Sequence, residues 1–177
     1  MGTAGYDALN RSDVDRDGNL YLGGMTSGSL DRLNVGGAYD GILRKYNPQG
    51  QLEWSRQIGT DTLDAILGVA ASRVGAGVYA VGATYGDFAA SAQGLEDVFL
   101  IKYDGNGQEL WRQQFGTALV DVSFSLTVDA EDNVFLAGYT VKELEPENTF
   151  TDDSWVTKYD SLGQQQWFVE FGSIAVF

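Results

Sequence analysis

Asp13-Val14-Asp15-Arg16-Asp17-Gly18 is the one segment of this chain whose residue types and spacing suggest metal chemistry. Carboxylates at alternating positions before a glycine offer hard oxygen ligands on a sharply turning backbone, the combination that calcium needs. Asp13, Asp15 and Asp17 are thus the candidate ligands, and calcium the candidate ion. The match to a full calcium loop then stops, because Tyr21 takes the ninth position and Gly24 the twelfth, where a bidentate glutamate belongs. Water or distant carboxylates would have to complete the shell. A solvated hairpin turn is the competing reading, and the corresponding segments further along favour it. Ser72–Gly77 has no carboxylate, and Asp129-Ala130-Glu131-Asp132-Asn133 keeps a different set.

Other chemistries have less to stand on. The chain has no histidine and no cysteine, which removes imidazole and thiolate ligands, triads and disulfides. Its 25 acidic residues leave room for a glycosidase-like carboxylate pair, but no pair stands out. None of the glycine clusters leads into the Lys-Ser/Thr of a phosphate loop. No catalytic residue is assigned, and the chain reads as non-enzymatic.

The elements that would position any site come from a repeat. Tyr46–Gly59, Tyr103–Gly116 and Tyr159–Gly172 read YNPQGQLEWSRQIG, YDGNGQELWRQQFG and YDSLGQQQWFVEFG. Asp40, Asp97 and Asp153 recur with them, as do Lys45, Lys102 and Lys158, and Trp54, Trp111 and Trp167, at steps of 57 and 56 residues. Gly24, Gly82 and Gly138 are each followed two positions later by Thr26, Thr84 or Thr140. A period of this length marks units too small to bury their own apolar faces alone. The units run over 2–58, 59–115 and 116–172 with a short tail at 173–177, and together form one repeat domain over 1–177.

Within each unit a period-2 apolar pattern recurs four times. In the second unit the strands are expected at Asp64–Ala71, Gly77–Ala83, Asp97–Tyr103 and Gln108–Phe115. Asp104-Gly105-Asn106-Gly107 supplies the left-handed backbone positions of a tight turn. The expected fold is all-β: a β-propeller-like array of three four-stranded antiparallel blades, either a partial propeller or half of a six-bladed ring. The first strand, near Asp7–Asp13, is the weakest, since Asn10, Arg11 and Ser12 interrupt its apolar pattern. The segments Gly23–Asp40, Gly82–Asp97 and Gly138–Asp153 are expected to be the loops that vary between units. Trp54, Trp111 and Trp167 are expected to anchor blade to blade. The repeated lysines, five residues beyond the repeated aspartates, have opposite parity to them and should meet charges on an adjacent strand instead.

The pattern D-x-F-L-x-K-Y-D-x-x-G-x-x-x-W-x-x-x-F-G is carried by Asp97, Phe99, Leu100, Lys102, Tyr103, Asp104, Gly107, Trp111, Phe115 and Gly116. Val128, Asp129, Asn133, Val134, Phe135, Gly138 and Thr140 carry its second half. Together they resemble the beta-propeller repeat family, or SBBP repeats, of bacterial surface, secreted and multidomain proteins. The resemblance implies a scaffold without catalytic residues, in an extracellular or cell-surface setting. The N-terminal MGTAGYDALNRSD has neither the basic nor the apolar region of an export signal.

Charge bounds the partners. A formal net charge of -14 repels nucleic-acid phosphates and anionic membranes. No apolar run reaches the roughly 18 to 20 residues of a membrane helix. Closed propellers usually have about four to eight blades, so three leave two open blade faces. The expected partner is a protein, or a second copy meeting those faces. A carbohydrate-binding or glycan-hydrolysing propeller is the alternative.

Overall fold

The computed structural model describes residues 2–30, 38–144 and 149–172. Among these, strands β1 (Asp7–Val14), β2 (Leu20–Thr26), β3 (Asp40–Tyr46) and β4 (Leu52–Ile58) form one antiparallel sheet in chain order. The second sheet comprises β5 (Asp64–Ala71), β6 (Gly77–Thr84), β7 (Asp97–Asp104) and β8 (Glu109–Phe115). The third comprises β9 (Asp121–Val128), β10 (Val134–Leu144), β11 (Thr149–Tyr159) and β12 (Gln165–Phe171). This is the three-blade array expected from the repeat.

The middle sheet shows why these residues make strands. β6 and most of β5 and β7 are buried on both faces, so their sequences read as near-continuous Val, Ile, Ala and Phe rather than as an alternation. Side chains of one parity, Val78, Ala80, Phe99, Ile101 and Tyr103, pack with Tyr21, Leu43 and Trp54 of the first sheet. Those of the other parity, Tyr79, Val81, Val98 and Leu100, pack with Val134, Leu136, Trp155 and Tyr159 of the third. Two cores result, each shared between neighbouring blades, as expected of units that cannot bury an apolar face alone.

The first strand of each blade is bulged at the same place. The register slips between Leu9 and Arg11 in β1, between Ile66 and Gly68 in β5, and opposite Ala137 and Gly138 in β9. Asn10, the residue that breaks the pattern of β1, is the one left out, and β1 forms in spite of it. At the bulge the second strand comes so close that a Cβ on Gly24, Gly82 or Gly138 would lie 1.8, 2.0 or 1.9 Å from the carbonyl oxygen of Ala8, Ala65 or Val122. The repeated glycine is a packing requirement.

One expectation needs correction. The segment Gly138–Asp153 is not a loop like its counterparts. β10 and β11 stay paired from Val134↔Tyr159 out to Leu144↔Thr149, with the β-branched Thr140, Val141 and Thr151 among the added pairs. In the first two blades, β2 and β6 end at the equivalent Thr26 and Thr84. The tail 173–177, residues 31–37 of the first variable loop and residues 145–148 of the third lie outside the described residues.

Candidate functional site

Asp13, Asp15 and Asp17 leave β1 together but face different partners. Asp15 is buried, and its Oδ1 accepts the amides of Asp17 and Asn19 at 3.0 and 2.9 Å. Its Oδ2 accepts Asn19 Nδ2 at 2.9 Å and the Tyr21 hydroxyl at 3.2 Å. Burial opposes its charge, yet these donors hold the carboxyl below the ordinary aspartate range. The Tyr21 hydroxyl is pushed up by its own burial and by the Asp15 charge. Asp13 turns toward the next blade, where it accepts the Ala71 amide at 2.9 Å and pairs with Arg73 at 3.1 Å. Asp17 is exposed. Among the described residues, no three acidic side chains come together in an arrangement that could hold a metal ion.

The same turn recurs with other flanking residues, Glu131 and Asp132 beside Asp129 and no further carboxylate within the turns that start at Asn47, Asp104 and Asp160. Asp129 Oδ1 accepts the amides of Glu131 and Asn133. Asn47, Asp104 and Asp160 do the same one hairpin later in each blade. Each is an Asx turn, in which a side-chain oxygen holds the amides that the bend leaves free.

The hairpin between the third and fourth strands is where blades engage. Trp54 Nε1 and Lys45 Nζ both donate to the carbonyl oxygen of Gly105 in the second blade, at 3.0 and 3.1 Å. Trp111 Nε1 and Lys102 Nζ both donate to Ser161 in the third, at 3.1 and 3.2 Å. Two positions on, Arg56 Nε donates to Gly107 at 2.6 Å and Gln113 Nε2 to Gly163 at 3.0 Å. The indole lies flat against the next hairpin. A Cβ on Gly107 would stand 2.8 Å from Trp54 Cδ2, and one on Gly163 2.8 Å from Trp111 Cδ2. Lys102 also lies 4.7 Å from the Tyr79 ring centre and Lys45 5.8 Å from that of Tyr21, each a cation–π contact on its own sheet.

The expected charge partners follow only in part. Lys45 meets Glu53 on the adjacent strand at 2.8 Å. Lys102 meets Asp132, which belongs to the next sheet, at 3.5 Å. Asp132 is the polar centre of that junction. Although not a glycine, it has φ 64°, and its buried carboxylate accepts Ser72 Oγ and the Arg73 amide, each at 2.6 Å. Burial works against its charge, but Ser72, the Arg73 amide and Lys102 hold it below the ordinary range. Sequence reasoning missed this residue; an aspartate at the turn position that Gly18 fills in the first blade was the available signal.

The repeated aspartates at the start of the third strand are inward and paired within their blades. Gln57 Nε2 donates to Asp40 at 2.6 Å, and Gln114 Nε2 to Asp97 at 2.8 Å. The third blade keeps the aspartate but has Glu170 in place of the glutamine, and Lys142 bridges Glu170 and Asp153. An ammonium supplies the donor where the glutamine amide has become a carboxylate.

Trp54, Trp111 and Trp167 therefore have one role and three environments. Trp54 is 9% exposed, Trp111 is half-buried, and Trp167 is 42% exposed because no hairpin follows it in the described chain.

Three stacked, four-stranded antiparallel blades joined by this repeated junction define a propeller-type repeat protein. No protein-family model matches the chain. Over 74 residues, 42% of its length, it is 36% identical to an uncharacterized WD repeat-containing protein of Acanthamoeba polyphaga mimivirus, covering 4% of that protein. Over 91 residues, 46% of its length, it is 32% identical to the regulatory protein FlaEY of Caulobacter vibrioides, covering 10% of it. The matched stretches are a small part of the length of these curated relatives.

Proposed function

We propose that this chain is a non-enzymatic protein-interaction module, built as a propeller segment of the SBBP-repeat kind and working in a secreted or cell-surface setting. One observation carries the reading: the blade junction is made twice within the chain, and its two halves stand open at the outer blades. Trp167, Val169 and Phe171, which share one face of β12, are 42, 42 and 59% exposed, an apolar strand face of the type protein partners cover. The relatives are consistent with this, one being a WD repeat-containing protein and the other a regulatory protein.

A second reading, carbohydrate binding, has one observation in its favour: Trp167 stands exposed beside Phe135, Ser125 and Thr127 around a cleft of about 300 Å³. The two separate by experiment. A photo-crosslinking amino acid at Val169, together with a glycan array, reads what the β12 face holds. Protein adducts without glycan signal are expected; saturable glycan binding lost in Trp167→Ala would overturn the reading. Detecting the chain only in the cytoplasmic fraction of its native cell would remove the surface setting.

A further inference from the structure

The two outer blades carry complementary halves of one junction. In the middle of the chain that junction needs an indole and an ammonium on one blade, and on the next a hairpin carbonyl followed by a left-handed glycine. The third blade ends with the donors: Trp167 exposed, and Lys158 5.3 Å from the ring centre of Phe135. The first blade begins with the acceptors. Its hairpin Asn47–Gln51 has the same Asx turn as those of the other two blades, with Gly50 at φ 76° beside 74° and 80° at Gly107 and Gly163. Gly107 and Gly163 are buried under Trp54 and Trp111, whereas a Cβ on Gly50 would meet nothing within 4 Å.

The apolar surroundings match as well. Leu20, Leu22 and Tyr46 of the first blade are only half-buried, where their counterparts Val78, Ala80 and Tyr103 are 0, 0 and 4% exposed beneath the preceding blade. With Gly18, Pro48 and Gly50 they line a cleft of about 290 Å³.

We infer that the occupant of the Trp167 face is the first blade of a second copy of this chain, bound head to tail by the same junction. Trp167 Nε1 and Lys158 Nζ donate to the Pro48 carbonyl, which takes the place of Gly105 and Ser161, and the indole seats on Gly50. Among the described residues the third blade presents the donor half and the first blade the acceptor half, so two copies joined reciprocally satisfy both halves of each other in a ring of six blades. This rests on the protein-interaction reading and names its partner.

The test is mass in solution by light scattering, followed by two variants at opposite ends of the chain. Wild-type protein at micromolar concentration should give about twice 19.2 kDa. Trp167→Ala removes the donor, and Gly50→Asn keeps a residue that tolerates the left-handed turn while filling the seat. Gly50 is open in the single chain, so Gly50→Asn should keep the wild-type circular dichroism and unfolding midpoint of the monomer, while Trp167→Ala, which also gives up the ring contact with Phe135, should keep the circular dichroism. Each should raise the dimer dissociation constant about tenfold or more. Mixing the two variants restores one intact junction per pair, so the mixture should dimerise more tightly than either alone, a signature that symmetric face-to-face pairing lacks. A wild-type monomer, a larger assembly, or a dimer indifferent to both variants overturns the inference. A monomer that still yields protein adducts from position 169 removes only the second copy as partner; a monomer without such adducts removes the interaction reading too.

Discussion

Gly50, Gly107 and Gly163 form a built-in controlled experiment on the blade junction. All three have φ between 74° and 80°, so alanine carries the same backbone cost at each, about 1–2 kcal/mol. They differ in what the added methyl meets. At Gly107 it would lie 2.8 Å from Trp54 Cδ2 and 2.9 Å from Arg56 Nη2, and at Gly163 2.8 Å from Trp111 Cδ2; at Gly50 it meets open space. Overfilling a packed contact adds about 1–3 kcal/mol. Gly107→Ala and Gly163→Ala should therefore cost about 2–5 kcal/mol and Gly50→Ala only about 1–2 kcal/mol. Urea unfolding at low protein concentration reads the difference as a shift of midpoint at unchanged slope. Repeating Gly107→Ala in a Trp54→Ala background should reduce its cost to the backbone part, since the clashing ring is gone. Equal costs at the three glycines, or no relief without Trp54, would refute the idea that the indole seats on the hairpin. At high concentration Gly50→Ala should become more costly if a second copy occupies that seat, because association adds to apparent stability.

Asp132→Asn keeps the backbone, since asparagine also adopts φ near 64°, but removes the charge that Ser72, the Arg73 amide and Lys102 surround; a loss of about 1–3 kcal/mol is expected by urea unfolding. Because the folded-state carboxyl titrates below its ordinary value of 3.8, this contribution is present above that pH and lost as pH falls below it, so wild type and variant should converge in acid. Asp64 works in the opposite direction. Burial raises its carboxyl despite the Thr60 amide, so its contribution is complete below 3.8 and is lost as pH rises through the folded value; Asp64→Asn should flatten the stability curve just above 3.8. Millimolar calcium should leave the unfolding temperature unchanged, since the Asp15 carboxylate is taken by its own turn and that of Asp13 by Ala71 and Arg73. A calcium-dependent rise that Asp17→Asn abolishes would make the Asp13–Asp17 segment a metal site after all.

Strand positions were legible in the sequence because they depend on local alternation and turn chemistry. The expected strand Gly77–Ala83 runs to Thr84, and Gln108–Phe115 begins at Glu109. The break at Asn10–Ser12 read as weakness because one extra residue inverts a period-2 pattern; it is a bulge, shared with β5 and β9. Asp-x-Asp-x-Asp-Gly was ambiguous for a different reason. A calcium loop and an Asx turn both want a carboxylate just before a left-handed glycine, and only the direction of each side chain separates them.

The junction itself was the least legible part, because parity along a strand says which face a side chain takes and nothing about which element of the next blade it meets. The opposite parity of Lys102 and Asp97 was readable, but the partners of Lys102, Ser161 and Asp132, lie 59 and 30 residues away in another sheet. The same limit explains the tryptophans. The same residue at equivalent positions of the repeat differs in exposure from 9% at Trp54 to 42% at Trp167 because its environment is set by the neighbouring blade and not by parity along its own strand. A repeated anchor is core wherever a further blade covers it and binding surface wherever none does. The outermost copy of a packing residue is thus the natural place to look for a partner, and a partner carrying the same Asx hairpin and left-handed glycine is the one its geometry already fits.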